Sequence, residues 1–119
     1  MPQQVLLAED ETMVRTWLAD EFVDIGWSVV EAADGDAALR AAGQSAQFDL
    51  LLTDIRMPGS VDGWELARRV RGLHPELPII YATGFSEKSS DPVAGSKILG
   101  KPYRFAEVIE AMRALGVIS

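Results

Sequence analysis

Four separated places in this chain carry side chains that could do chemistry together. They are the acidic run Glu9-Asp10-Glu11, the single acid Asp54, the hydroxyl of Thr83 and the ammonium of Lys101. Carboxylate oxygens are the hard ligands that an octahedral Mg²⁺ accepts while it keeps several waters. Packed without a cation, Glu9, Asp10 and Asp54 would repel and raise one another's pKa. A metal removes that conflict and would also neutralise the oxygens of an incoming phosphoryl group. A carboxylate beside a bound metal can attack phosphorus to form an aspartyl phosphate, so Asp54 has the makings of a nucleophile. Lys101 could pair with one phosphoryl oxygen and the Thr83 hydroxyl could donate to another. Positioning and charge neutralisation of this kind suit a loose phosphoryl-transfer transition state.

Each of these residues alone has a blander explanation. Glu9 and Asp10 could be a solvated acidic turn opening a helix, favoured by the helix dipole. Asp54 could be an ordinary loop acid, because Met57-Pro58-Gly59 is good turn chemistry whatever its function. Thr83 could satisfy a nearby backbone group at a strand end, and Lys101 could be a solvated surface lysine. Only convergence in space raises them above these readings, so the elements that would position them matter.

Short β-rich runs alternate with longer helical ones, the pattern of a parallel sheet covered on both faces. The expected strands are Gln4–Ala8, Ser28–Ala32, Asp49–Thr53, Pro78–Ala82 and, weakest, Lys97–Gly100. Leu50, Leu51 and Leu52, like Ile79 and Ile80, form continuous apolar runs as buried parallel strands do. Between the first two strands, Val14, Trp17, Leu18, Phe22 and Ile25 recur at steps of three and four, with Gly26 as the stop, which puts Trp17 in the core. Ala37–Ala42 reads as a short helix after the Asp34-Gly35 turn. Gly63–Leu73 reads as another, with Asp62 as its N-cap and His74-Pro75 closing it. The last helix carries Phe105, Val108, Ile109, Met112 and Leu115 on one face. Phe85–Ser96 is polar and small, a loop with at most a short helix. In a doubly wound sheet ligands sit beyond the carboxyl ends of the strands. Glu9, Asp10 and Glu11 follow the first strand, Asp54 the third, Thr83 the fourth and Lys101 the fifth.

Bulk properties narrow the classes. At 119 residues and 48% hydrophobic the chain can bury one core, so a single domain spanning 1–119 is expected. With no cysteine there is no disulfide framework, thiolate metal site or thiol nucleophile, which fits a reducing cytoplasm. No apolar run approaches a membrane span, and Met-Pro-Gln-Gln lacks the basic and long apolar parts of a signal peptide. A net charge of −7 opposes a nucleic-acid footprint and favours a cation or basic patches on a protein partner. His74 is expected in a half-exposed capping role, Trp27 and Trp64 as packing or surface anchors, and Arg68, Arg69 and Arg71 as a solvated helix face.

The residues just quoted resemble the receiver domains of two-component response regulators over nearly the full length. The matching pieces are Leu6-Leu7-Ala8-Glu9-Asp10-Glu11, Asp54-Ile55-Arg56-Met57-Pro58-Gly59 with Asp62-Gly63, Ala82-Thr83-Gly84, and Lys101-Pro102-Tyr103. Any one piece is weak, but four in this order at strand ends are not. The resemblance implies a flavodoxin-like, doubly wound, five-stranded parallel sheet in the order 2-1-3-4-5, with helices on both faces. It implies Asp54 as phosphoacceptor, Asp10 and Asp54 as direct Mg²⁺ ligands, Glu9 acting through water, and the Arg56 backbone carbonyl as a further ligand. Thr83 and Lys101 would read the phosphate, and the peptide before Pro102 would be cis. The implied partners are a sensor histidine kinase or histidine phosphotransfer protein and a downstream protein or output domain, in the cytoplasm, with no direct nucleic acid and no membrane. Such a switch assists its own phosphorylation and dephosphorylation but turns over no metabolite.

Departures from the family pattern are specific. Receivers usually carry Tyr or Phe three residues before the active-site lysine, where this chain has Ile98. The usual Ala after the switch Thr is Gly84, and the interval from Thr83 to Lys101 is short, so a truncated fourth helix is expected there. Tyr81-Ala82-Thr83-Gly84-Phe85-Ser86 is similar to the Phe-Ala-Thr-Gly-hydrophobic-Tyr motif of a group of single-domain receivers, without its final Tyr. Two rivals follow. A Mg²⁺-dependent aspartyl-phosphate phosphohydrolase commonly needs a second acid two residues after the nucleophile, and Arg56 stands there. A phosphate-independent interaction module would be motivated by Ile98 and opposed by the intact acids, Thr83 and Lys101.

Overall fold

The computed structural model describes residues 3–44, 47–84 and 92–119. In chain order these form β1 (Gln4–Ala8), α1 (Thr12–Asp24), β2 (Ser28–Ala32), α2 (Gly35–Gln44), β3 (Leu50–Asp54), α3 (Gly63–Leu73), β4 (Ile79–Thr83), β5 (Ser96–Gly100) and α4 (Phe105–Ala114). All strand pairs are parallel, and the sheet order is β2-β1-β3-β4-β5.

Alternation of side chains along each strand splits the core in two. On one face, Leu6, Leu51, Ile79 and Tyr81 pack with Ala38 and Ala42 of α2 and with Trp64, Leu66 and Val70 of α3. On the other, Val5, Leu7, Leu50, Leu52 and Ile80 pack with Leu18 and Phe22 of α1 and with Val108 and Met112 of α4. The central strand β3 is buried along its whole length because helices cover both of its faces, which explains its unbroken leucines.

Register then sets which residues meet. Ala8 is opposite Thr53, Asp54 opposite Ala82, and Thr83 opposite Gly100. One residue beyond each pairing, Glu9, Ile55, Gly84 and Lys101 therefore emerge along one edge, with Asp54 in the last rung of β3.

Each expected strand is present within one residue, and the helix expected at Ala37–Ala42 extends to Gly35–Gln44. Gly26 ends the α1 turn with a φ of 91°, a conformation that suits glycine. The Asp62 side chain accepts the Glu65 N–H at 2.9 Å, as an N-cap does, and His74 closes α3 with its N–H on the Val70 carbonyl. Trp27 and Trp64 are both buried. Arg68 and Arg69 pair with Glu65 on the exposed face of α3, whereas Arg71 turns to the Leu77 carbonyl. The Lys101–Pro102 peptide is cis.

Trp17 is a correction. It is 37% exposed, and Ile25 is exposed with it, so neither belongs to the fully buried core expected from their spacing. Helix α1 carries two apolar stripes. Val14, Leu18 and Phe22 face the sheet, while Met13 and Trp17, one position back, form a second stripe, in which Met13 is exposed and the Trp17 ring lies 6.0 and 6.5 Å from those of Tyr103 and Phe105. Steps of three and four cannot separate two stripes so close together. The region of the expected truncated helix falls mainly on residues 85–91, outside the described residues. After it, Ala94 and Gly95 form a turn that leads directly into β5.

Candidate functional site

The acids meet where the register brings them. Glu9, Asp10 and Asp54 each offer a carboxylate oxygen within 4.8 Å of the others. Glu9 and Asp54 are buried, at 2% and 7% exposure, whereas Asp10 is exposed. Glu9 is held on every side: its N–H donates to the Ala32 carbonyl at 3.0 Å, its Oε2 accepts the Glu11 N–H at 3.0 Å, and Arg15 Nη1 donates to its carbonyl at 2.8 Å. Arg15 also pairs with Glu31 of β2 at 3.3 Å, tying the acidic turn to α1 and to the neighbouring strand.

Asp54 Oδ1 accepts the Ile55 N–H at 2.9 Å and meets Lys101 Nζ at 2.9 Å, while Glu9 Oε1 lies 3.7 Å from the same ammonium. Behind Asp54 the start of α3 comes very close, with Gly63 N–H on the Ile55 carbonyl at 2.7 Å. A Cβ on Gly63 would fall onto the Asp54 carbonyl oxygen, so glycine is required there by space. Lys101 is anchored through its own N–H, which donates to the Thr83 carbonyl at 2.8 Å. The Thr83 hydroxyl donates to the Gly84 carbonyl at 3.0 Å. Arg56 lies exposed two residues past Asp54.

Two buried carboxylates, Glu9 and Asp54, share one ammonium, and the electrostatics record the imbalance. Burial, joined by the charge of Asp54, pushes the Glu9 carboxyl up to about 7 against the pull of the Glu11 N–H and Lys101. Burial draws the Lys101 ammonium down, but its hydrogen bond to Asp54 and the nearby acids prevail and raise it. A cluster of hard oxygen donors with excess negative charge is the donor set a small divalent cation takes, so these residues fit Mg²⁺. Sequence reasoning had the acids, Thr83 and Lys101, but not the Arg15 brace or the role of burial at Tyr103. The hydroxyl of Tyr103 is enclosed and has no hydrogen-bond partner. No spacing pattern advertises either residue.

The family model of the response regulator receiver domain matches residues 5–113. This chain belongs to that family. The receiver is 34% identical over 117 residues to the response regulator receiver protein CpdR of Brucella abortus, covering 95% of this chain and 96% of that protein. It is 35% identical to the response regulator MprA of Mycobacterium tuberculosis, and spans about half of MprA's length (51%). Among solved structures, a response regulator receiver protein from Sinorhizobium medicae superposes with a TM-score of 0.88 at 32% identity, covering 96% of this chain and 94% of that one. TrrA from Thermotoga maritima, solved in complex with Mg²⁺–BeF, gives 0.81 at 28% identity over 95% and 98%. The receiver is thus a signalling domain of two-component systems with a flavodoxin-like fold, and its family binds Mg²⁺ at an acidic pocket. No helix among the described residues is long and apolar enough to cross a membrane.

Proposed function

We propose that residues 1–119 form one receiver domain that works as a phosphoacceptor switch, taking a phosphoryl group on Asp54 from a phosphohistidine of a sensor kinase or phosphotransfer protein. The observation that carries this reading is the buried Asp54 carboxylate, gripped at Oδ1 by Lys101 and grouped with the ligand oxygens of Glu9 and Asp10. Lys101 and the Ile55 N–H both engage Oδ1, which leaves the second carboxylate oxygen to attack. A P–O bond forms, the P–N bond to the donor imidazole breaks, and the electron pair returns to the imidazole nitrogen. Lys101 then pairs with a phosphoryl oxygen, and the Thr83 hydroxyl exchanges the Gly84 carbonyl for another. Asp10 and Asp54 would hold Mg²⁺ directly, Glu9 through water, and the Arg56 carbonyl would complete the protein's ligands. When bound, the ion supplies neutralisation of charge on the transferred group. The Mg²⁺–BeF complex of TrrA supports this assignment by likeness. A downstream protein or an output domain would read the modified state, with the cytoplasm as the site of action.

The test is intact-mass analysis after incubation with acetyl phosphate, with and without Mg²⁺, for the natural chain and Asp54→Asn. One phosphoryl adduct that needs both Mg²⁺ and Asp54 is expected. No adduct under any condition would move the function to a phosphate-independent interaction module.

A further inference from the structure

The chain leaves β1 through three acids in a row, and one residue clasps both ends of that run. Arg15 Nη1 donates to the Glu9 carbonyl at 2.8 Å, and the Arg15 main-chain N–H donates to the Glu11 carbonyl at 2.9 Å. Its Nε pairs with Glu31 of β2 at 3.3 Å. The Glu9 N–H reaches the Ala32 carbonyl at 3.0 Å, so the run is fastened to β2 on one side and to α1 on the other. Asp10 lies between the two clasped residues and is exposed, so its carboxylate is placed by the main chain around it rather than by packing. The side chains of Arg15 and Glu31 are 17% and 46% exposed, and an ion pair so open to water adds little to the stability of a fold. As a bare charge Arg15 would oppose any cation bound at the neighbouring acids, and Glu31 offsets that charge. What remains is orientation. The separate donors of one planar guanidinium hold a carbonyl and a carboxylate at once, which the single ammonium of a lysine cannot reproduce.

We propose that Arg15 is a positioning residue for the Mg²⁺ pocket: it fixes the main chain from Glu9 to Glu11 so that the Glu9 and Asp10 carboxylates stand where the ion takes them. This inference rests on the reading of Glu9, Asp10 and Asp54 as the ion's site. Arg15 touches neither the ion nor the phosphoryl group, and acts through the main chain that carries the ligands.

Charge and positioning predict opposite signs. Arg15→Gln removes a cation from beside a cation pocket, which by charge alone would tighten Mg²⁺ binding. Loss of positioning instead weakens it, by about tenfold or more, as when a group that orients a metal ligand is removed. Arg15→Lys keeps the charge but loses the double hold, and its Mg²⁺ affinity should fall too. Glu31→Gln keeps an acceptor for Nε and leaves the bond to the Glu9 carbonyl in place, so it should change affinity less than either. Mg²⁺ binding is read by calorimetry on the full chain, with circular dichroism to establish that each variant is folded; Arg15→Lys carries the test if Arg15→Gln does not fold. Adduct formation from acetyl phosphate should slow in the Arg15 variants at limiting Mg²⁺ and recover at saturating Mg²⁺. Unchanged or tighter Mg²⁺ binding by a folded Arg15 variant overturns the inference while the Asp54 reading stands. So does an adduct rate that stays low at saturating Mg²⁺, or a loss of affinity in Glu31→Gln as large as in the Arg15 variants. If the natural chain binds no Mg²⁺, the reading of the acidic pocket fails and takes this inference with it.

Discussion

Replacing Glu9 by Gln removes one charge and almost no volume from the most enclosed acid of the site. Glu9 is 2% exposed, and burial, reinforced by Asp54, pushes its carboxyl from an ordinary 4.5 up to about 7. Between these two values the unfolded chain has lost the proton and the folded chain still holds it. Stability must therefore fall as pH rises through that window and level off above it, with the full penalty present at pH 8. At about 1.4 kcal/mol per pH unit of separation, the penalty is capped near ~3 kcal/mol. Gln avoids it and keeps an acceptor for the Glu11 N–H, so that bond survives. In EDTA at pH 8, urea unfolding followed by circular dichroism should find Glu9→Gln more stable than the natural chain by about 1–3 kcal/mol. At pH 4 the two should coincide. Saturating Mg²⁺ should close the gap at pH 8 by stabilising the natural chain more than the variant. A variant that is equally or less stable at pH 8, or a natural chain with no slope between pH 4.5 and 7, would refute the reasoning.

Other perturbations test the supports of the site. Gly63→Ala puts a methyl against the Asp54 carbonyl, so α3 and the end of β3 must separate; a loss of about 1–3 kcal/mol is expected in urea, with slower phosphorylation by acetyl phosphate. Asp62→Ala removes the N-cap of that helix and should cost about 1 kcal/mol with little effect on the adduct's Mg²⁺ requirement. Phe22→Ala should cost about 3–5 kcal/mol, whereas Trp17→Ala, on the half-exposed stripe, should cost about half as much or less by the same thermal or urea measurement.

The sequence made the strands and the four chemical positions readable because parallel strands buried on both faces leave unbroken apolar runs, and strand ends follow directly from where those runs stop. The edge strand β5 was weakest for the opposite reason: Lys97 and Ile98 are exposed, so its run carries a thin signal. Trp17 was misplaced because two apolar stripes on α1 share one periodicity. Arg15 was invisible as a brace, since Glu31 is brought to it only by the crossover from α1 to β2, and its other partner is the main-chain carbonyl of Glu9, which no residue type marks. Burial made the remaining difference. Nothing in residue type told that Glu9 would be enclosed and Asp10 left in solvent.

The hydrogen bond from the Lys101 N–H to the Thr83 carbonyl fastens the ends of β4 and β5 into one frame. Within that frame the main chain at Thr83 has little freedom to approach Asp54, so the travel of its hydroxyl is confined to a turn about the Cα–Cβ bond, from one staggered well to another. The hydroxyl gives up its bond to the Gly84 carbonyl in turning, a cost of about 1 kcal/mol. Under the proposed reading of Thr83 as a phosphate reader, signalling at this strand end would be a latch thrown by one torsion, its threshold set by a single carbonyl rather than by the bending of a sheet.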